Sequence, residues 1–433
     1  MKKITNRAFS VLLIALLVIA LTSYFVYREY KDGKSWALYF GAYNSSSEGT
    51  ILDRNGKILA HFDGAESTFS DDYLTRVANY HVTGDYWGRT GTGILSRYWQ
   101  TSQNYNFYEG TTQETVSTLN LTIDSDINNK AYELLAQNGK GCVMICNYLT
   151  GEVIAMVSSP SVDPADNEAE IEDGAYINRC LSAAFVPGST FKLVTAAAAI
   201  ENIPDLYERT FLCEEEYDIA GVKIKCTVHH GTQTFEEALA NSCNCVFAQL
   251  TVMLGQDTMV KYVTDYGFLS PQSIDGIDAV RGNYPTEFVG DPELAWSGIG
   301  QSVDQVCPYT MLRYVCAIAN GGSCINMTMI KSPNLPTSTQ ILNASTATEL
   351  KRLMRNNVTS HYEGEVNFPG LNLCAKTGTA ETGVGDNAHS WFVGFLQDDA
   401  HPYAFVSLVE NGGFGLWTAG LMMNEILQYA VSK

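Results

Sequence analysis

Basic residues are scarce in this 433-residue chain: 27 Lys and Arg stand against 47 Asp and Glu, for a net charge of −20. A partner held by neutralising phosphates is therefore excluded, and with it a nucleic-acid role. Internal repeats and low-complexity tracts are also lacking. Since 45% of the residues are hydrophobic and 11% aromatic, the chain is neither fibrous nor disordered.

Two local absences point to a membrane. Residues 1–27 contain no acid, only the bases Lys2, Lys3 and Arg7, and Ala8 to Tyr27 contain no charge at all. A helix rising ~1.5 Å per residue makes that uncharged run ~30 Å long, enough to cross a bilayer's hydrocarbon core. The flanking bases predict a cytoplasmic N-terminus and an extracytoplasmic body. The run ends in Tyr24-Phe25-Val26-Tyr27, an interfacial aromatic group and not a small-residue cleavage site, so it reads as an uncleaved anchor. The expected organisation is a cytoplasmic tail (1–7), a transmembrane anchor (8–27), a small β-rich membrane-proximal module (28–118) and a main domain (119–433). The protein is expected at the cell membrane, crossing it once.

A full disulfide framework is not expected, although an oxidising exterior would favour one. The eleven cysteines are an odd number, and Cys142, Cys146, Cys316 and Cys374 lie within apolar runs as small buried hydrophobes would. Cys213, Cys226, His229 and His230 leave three readings open: unlinked thiols, one local disulfide or a zinc site.

Turn signals organise the rest. Asn55-Gly56 between two apolar segments predicts a hairpin in the small module. Another hairpin opens the main domain, joining 142–148 to 152–157 around Leu149-Thr150-Gly151. Before it, Ser125 to Gln137 has helical spacing, with Asp124 as its cap. Three strands are expected near the C-terminus, at 371–379, 390–396 and 403–409, followed by a helix at 416–431. Strands from both ends of the domain around a helix-rich middle predict an α+β fold: an antiparallel sheet flanked by helices, with an inserted helical lobe.

Three short motifs carry the chemistry. Ser189-Thr190-Phe191-Lys192 follows Pro187-Gly188 and opens an apolar run, which puts Ser189 in the first turn of a helix with Lys192 on the same face. A lysine desolvated by apolar neighbours has a lowered pKa and can accept a serine proton near neutral pH. Ser242-Cys243-Asn244 can aim a hydroxyl and an amide into one pocket from a loop entering a helix. In Lys376-Thr377-Gly378-Thr379, Gly378 removes a side chain where a ligand must approach a strand edge, and Lys376, Thr377 and Thr379 suit an anionic substrate end.

In this order and context the three motifs resemble those of penicillin-binding proteins and serine β-lactamases. The likeness extends to Phe185-Val186-Pro187-Gly188-Ser189-Thr190-Phe191-Lys192, to Asn241-Ser242-Cys243-Asn244, and to Lys376-Thr377-Gly378-Thr379-Ala380-Glu381 followed by His389-Ser390-Trp391-Phe392-Val393-Gly394. Ile51-Leu52-Asp53-Arg54-Asn55-Gly56 resembles the membrane-proximal motif of monofunctional class B members. Glu48 departs from it, standing where a basic residue is expected, and the 28–118 module is short for the class. The resemblance implies a penicillin-binding transpeptidase-like fold and a peptidoglycan D,D-transpeptidase that β-lactams acylate. It implies Ser189 as nucleophile, Lys192 as its base and Ser242 as proton relay, with Asn244, Lys376, Thr377, Gly378 and Thr379 binding a stem peptide that ends in D-Ala-D-Ala. No metal or organic cofactor is required by that chemistry, and a membrane glycan polymerase is implied as a partner. A D,D-carboxypeptidase, a β-lactamase and a catalytically idle β-lactam sensor or scaffold are the alternatives on the same fold.

Overall fold

A computed structural model describes residues 2–44, 48–63, 66–85, 88–95, 103–106, 110–113, 118–166, 168, 170–334, 336–382 and 388–433. Part of the expected 28–118 module lies outside the described residues.

The uncharged run lies in helix α1 (Lys2–Asn44), which continues well past Tyr27. Its stretch Lys2–Lys31 is long and apolar enough to cross a membrane, with an 18-residue window of mean hydropathy 2.6. Strands β1 (Glu48–Leu52) and β2 (Ile58–Asp63) form the hairpin announced by Asn55-Gly56. Strand β3 (Glu66–Phe69) extends one edge of this sheet, helix α2 (Tyr73–Thr83) follows, and β4 (Thr118–Asn120) pairs with β1 in parallel. Helix α3 (Ser125–Asn138) starts where Asp124 Oδ1 accepts the N–H groups of Asp126 and Ile127, which would otherwise lack partners.

Asp53 ties the small sheet to that helix start. It is only 2% exposed. One carboxylate oxygen accepts the N–H groups of Asn55 and Lys57, shaping the hairpin turn, while the other accepts the Ser125 hydroxyl at 2.7 Å. Asn55 Nδ2 adds a bond to Asp124 Oδ2 at 2.9 Å.

Strands β5 (Gly141–Asn147) and β6 (Val153–Ser159) form the second predicted hairpin. The helical middle includes α4 (Lys192–Asn202), the short strands β7 (Thr210–Cys213), β8 (Glu216–Ile219), β9 (Val222–Lys225) and β10 (Gly231–Thr234), and helices α5 (Phe235–Ala240), α6 (Asn244–Leu254), α7 (Pro308–Ala319) and α8 (Ala344–His361). Strands β11 (Leu373–Glu381), β12 (Ala388–Leu396) and β13 (Tyr403–Val409) then precede the last helix, α9 (Leu421–Val431). The main sheet is antiparallel, in the order β11-β12-β13-β5-β6, so the two ends of the domain meet where β13 pairs with β5.

Every residue from Gly141 to Cys146 is buried because helices cover both faces of the sheet. Period-2 alternation divides β5 between two cores. Cys142, Met144 and Cys146 face a core shared with α4 and α7, and Val143 and Ile145 face one shared with α3 and α9. Fully burying such a side chain contributes roughly 1.5–3 kcal/mol. Strand β11 lies at the sheet's edge, and its position there decides what the site can do.

Candidate active site

The first motif forms a tight turn. Gly188–Phe191 is a 3₁₀ turn that runs directly into α4, so Ser189 precedes the α-helix proper and Lys192 opens it. Gly188 has φ +54, and a Cβ there would stand 2.7 Å from Thr379 O. The turn therefore sits against β11 with room only for glycine. From the strand side the fit is similar, since a Cβ on Gly378 would meet Pro187 O at 2.9 Å. Trp391, fully buried on β12, fixes the approach to the turn by donating Nε1–H to Val186 O at 2.9 Å.

Lys192 is fully buried. Its ammonium donates to Ser242 O at 2.6 Å and Asn244 Oδ1 at 2.7 Å, with Ser242 Oγ at 3.4 Å. Among the described residues no hydrogen bond joins Ser189 Oγ to Lys192, although the two share one turn. Lys376 approaches from β11 and donates to the same Ser242 Oγ at 2.8 Å and to Thr377 O at 2.9 Å. One hydroxyl thus accepts from two lysines that lie in motifs far apart in the chain. Ser242 has φ +54, a left-handed conformation that costs a non-glycine residue about 1 kcal/mol or more.

Burial is the main influence on both lysines. Loss of water lowers Lys192 to about 8, against a smaller upward pull from the thiols of Cys226, Cys243 and Cys245. Lys376 is pushed well below the usual lysine range by burial and then by the neighbouring Lys192 charge.

Along β11, alternate main-chain groups point away from β12. Thr377 N–H is one of these, bonding Tyr362 Oη at 3.2 Å. Thr379, two residues on, turns its N–H to the same open edge, and its carbonyl there lies against Gly188 of the serine turn. Gly415 N–H donates to Thr379 Oγ1 at 3.2 Å. A cavity of about 250 Å³ opens beside this edge, lined by Ser242, Thr377, Thr379, Tyr362, Phe414 and Trp417 among others. Lys192, Ser242, Asn244, Lys376, Thr377, Gly378 and Thr379 are therefore gathered around one cleft, with the half-buried Ser189 at its side.

Sequence reasoning missed Tyr362, Phe414 and Trp417, because no motif marks them and the sheet brings them in. It also missed Gly300, where a Cβ would stand 2.2 Å from Gly188 O. The glycines of Gly298-Ile299-Gly300 were the available signal.

The cysteine-rich stretch gathers next to this cleft. Cys213, Cys226 and His230 come together with Cys243, their ligand atoms all within 4.8 Å of one another. His229 is outside this group, and Cys243, the middle residue of the second motif, replaces it. Asn244 N–H donates to Cys226 Sγ at 3.3 Å, and Asn244 Nδ2 donates to Lys225 O at 2.9 Å.

An edge strand, a serine turn and two buried lysines on a shared hydroxyl supply the groups that serine acyl transfer requires. The penicillin binding protein transpeptidase domain matches residues 141–428, and the chain belongs to that family. Stage V sporulation protein D of Bacillus subtilis is 30% identical over 288 residues, covering 61% of this chain and 44% of that protein. The peptidoglycan D,D-transpeptidase PbpA of Mycobacterium tuberculosis is 27% identical over 342 residues, covering 69% and 68%. The chain thus spans less than half the length of the first relative and about two thirds of the second. Among solved structures, penicillin-binding protein A from M. tuberculosis, as a ceftriaxone acyl-enzyme complex, superposes with a TM-score of 0.74 at 22% identity, over 90% of this chain and 99% of that one. Pseudomonas aeruginosa PBP2 in complex with WCK 5153 gives 0.72 at 22% identity, over 89% and 96%. These structures share the fold predicted from the strand order and the inserted helical lobe.

Proposed function

We propose that the chain is a membrane-anchored peptidoglycan D,D-transpeptidase that β-lactams acylate. The observation that carries this reading is the Ser242 hydroxyl, which accepts from both Lys192 and Lys376 beside the Ser189 turn. Ser189 Oγ attacks the carbonyl of the penultimate D-Ala in a stem peptide, and neutral Lys192 takes its proton. The N–H groups of Ser189 and Thr379 receive the developing oxyanion, an interaction whose loss costs about 3–4 kcal/mol of barrier. Ser242, between the two lysines, passes a proton to the departing D-Ala amine. Asn244 holds the acyl side, while Lys376, Thr377 and Thr379 hold the terminal carboxylate across the gap left by Gly378. The amine of a second stem peptide then attacks the ester and releases Ser189.

The anchor orientation follows from Lys2, Lys3 and Arg7: N-terminus in the cytoplasm, main domain outside. A membrane glycan polymerase is the expected partner, and a crosslinked pull-down from membranes that recovers none counts against it. Labelling by a fluorescent penicillin tests the core of the proposal. Wild type becomes covalently labelled and Ser189→Ala does not, while purified wild type joins two stem peptides; equal labelling of the variant overturns the nucleophile. A labelled intermediate that water clears within seconds overturns transpeptidation.

A further inference from the structure

Three thiols and an imidazole converge on one point from four separate places. Cys213 ends β7, Cys226 follows β9, His230 precedes β10, and Cys243 caps α6. All four ligand atoms lie within 4.8 Å of one another, and three of the six spacings match a coordination tetrahedron. Metal–sulfur bonds of ~2.3 Å and a metal–nitrogen bond of ~2.05 Å at tetrahedral angles put the sulfurs about 3.8 Å from one another and about 3.5 Å from the nitrogen. Cys226 Sγ and Cys243 Sγ are 3.8 Å apart, and His230 Nδ1 is 3.5 Å from both Cys213 Sγ and Cys226 Sγ.

We propose that Cys213, Cys226, His230 Nδ1 and Cys243 bind one structural zinc ion that fastens the β7–β10 strands to the loop carrying Ser242 and Asn244. Three soft sulfurs and one imidazole in a closed tetrahedron suit zinc and leave no open position for a reacting water. Binding releases the three thiol protons to solvent. The site reaches the cleft in one step: Cys226 accepts Asn244 N–H, Lys225 accepts its amide, and Asn244 Oδ1 accepts from Lys192. Asn244 is thus oriented by the metal-bearing strands, a consequence that rests on the transpeptidase reading, whereas the metal site itself does not.

The test uses the full chain purified in detergent without chelator. Elemental analysis is expected to give one zinc per chain, falling at least tenfold in Cys213→Ser and retained in His230→Cys, which keeps four ligands. Because Cys213→Ser can fail to fold, wild type is also exchanged into Co²⁺, where thiolate-to-cobalt charge-transfer absorption is expected. Absence of zinc after equilibration with one equivalent of Zn²⁺, absence of the cobalt band, or a Cys226–Cys243 disulfide in the peptide map each overturns the site. Stripping zinc is expected to slow penicillin acylation at least tenfold, reversibly on adding Zn²⁺. Unchanged acylation refutes the orienting of Asn244. Zinc-loaded wild type that never labels with penicillin refutes the transpeptidase reading and leaves the zinc site standing.

Discussion

The contact between the serine turn and β11 is close enough for one methyl group to test the proposed oxyanion site. In Gly188→Ala the new Cβ would lie 2.7 Å from Thr379 O and 2.9 Å from Thr379 C, on a backbone with φ +54. The left-handed conformation alone costs about 1–2 kcal/mol, and the clash adds about 1–3 kcal/mol because rigid backbone, not a flexible side chain, is struck. Relief requires the turn to retreat from the strand, which separates the N–H groups of Ser189 and Thr379. Losing one oxyanion donor costs roughly 10²–10³ in rate, so the acylation rate constant for a fluorescent penicillin should fall by about that factor. Gly370→Ala supplies the control: φ is +70 there, yet nothing lies within 4 Å of the added Cβ. Its cost is the backbone strain alone, seen in the thermal melt and not in acylation. A Gly188→Ala enzyme that acylates at the wild-type rate refutes both the contact and the role given to it.

Acylation should rise with pH through about 8, as buried Lys192 loses its proton and becomes a base, and a flat profile from pH 6 to 9 contradicts that role. The sign for stability follows from the same lowered pKa. Between about 8 and the ordinary lysine value near 10.4 the unfolded chain binds the extra proton, so Lys192 makes the fold more stable as pH rises through that window. Asp53→Ala should cost about 4–5 kcal/mol, since it removes three carboxylate hydrogen bonds worth at least ~1.5 kcal/mol each and loosens the small sheet from α3. Proteolysis between β1 and α3 at unchanged acylation reads this out, and equal protection of wild type and variant argues against the link. Tyr362→Phe should lower stability by about 1 kcal/mol by leaving Thr377 N–H without its partner, with the melting temperature as the measure.

Much of this was legible because it is local. Asp124 caps α3 as its position required, Asn55-Gly56 turns a hairpin, and Lys376-Thr377-Gly378 lies on a strand flanked by apolar alternation. What escaped depends on neighbours distant in sequence. Hydropathy stops at Tyr27 while the helix continues to Asn44, since backbone hydrogen bonds need no apolar side chains. Ser189 was expected in the first α-helical turn and stands in a 3₁₀ turn, tightened where Gly188 meets the Thr379 backbone. His229 and His230 are equivalent by spacing. Only the path of the chain into β10 turns the second inward, and only the folding of β7–β10 onto α6 makes Cys243 its neighbour.

The pairing of β5 with β13 has a consequence for how the molecule is made. During synthesis β5 and β6 emerge early, apolar on both faces, and Asn147 waits for Tyr403 before that edge of the hairpin is hydrogen-bonded. A nascent chain that already holds Ser189, Lys192, Ser242 and Asn244 lacks β11 and has an open, sticky edge. Such long-range closure is slow and leaves the growing chain in need of protection. In return, the proposed chemistry is completed once only: a stalled or prematurely terminated polypeptide carries Ser189 and Lys192 without the Thr379 N–H and the Lys376 ammonium that β11 brings.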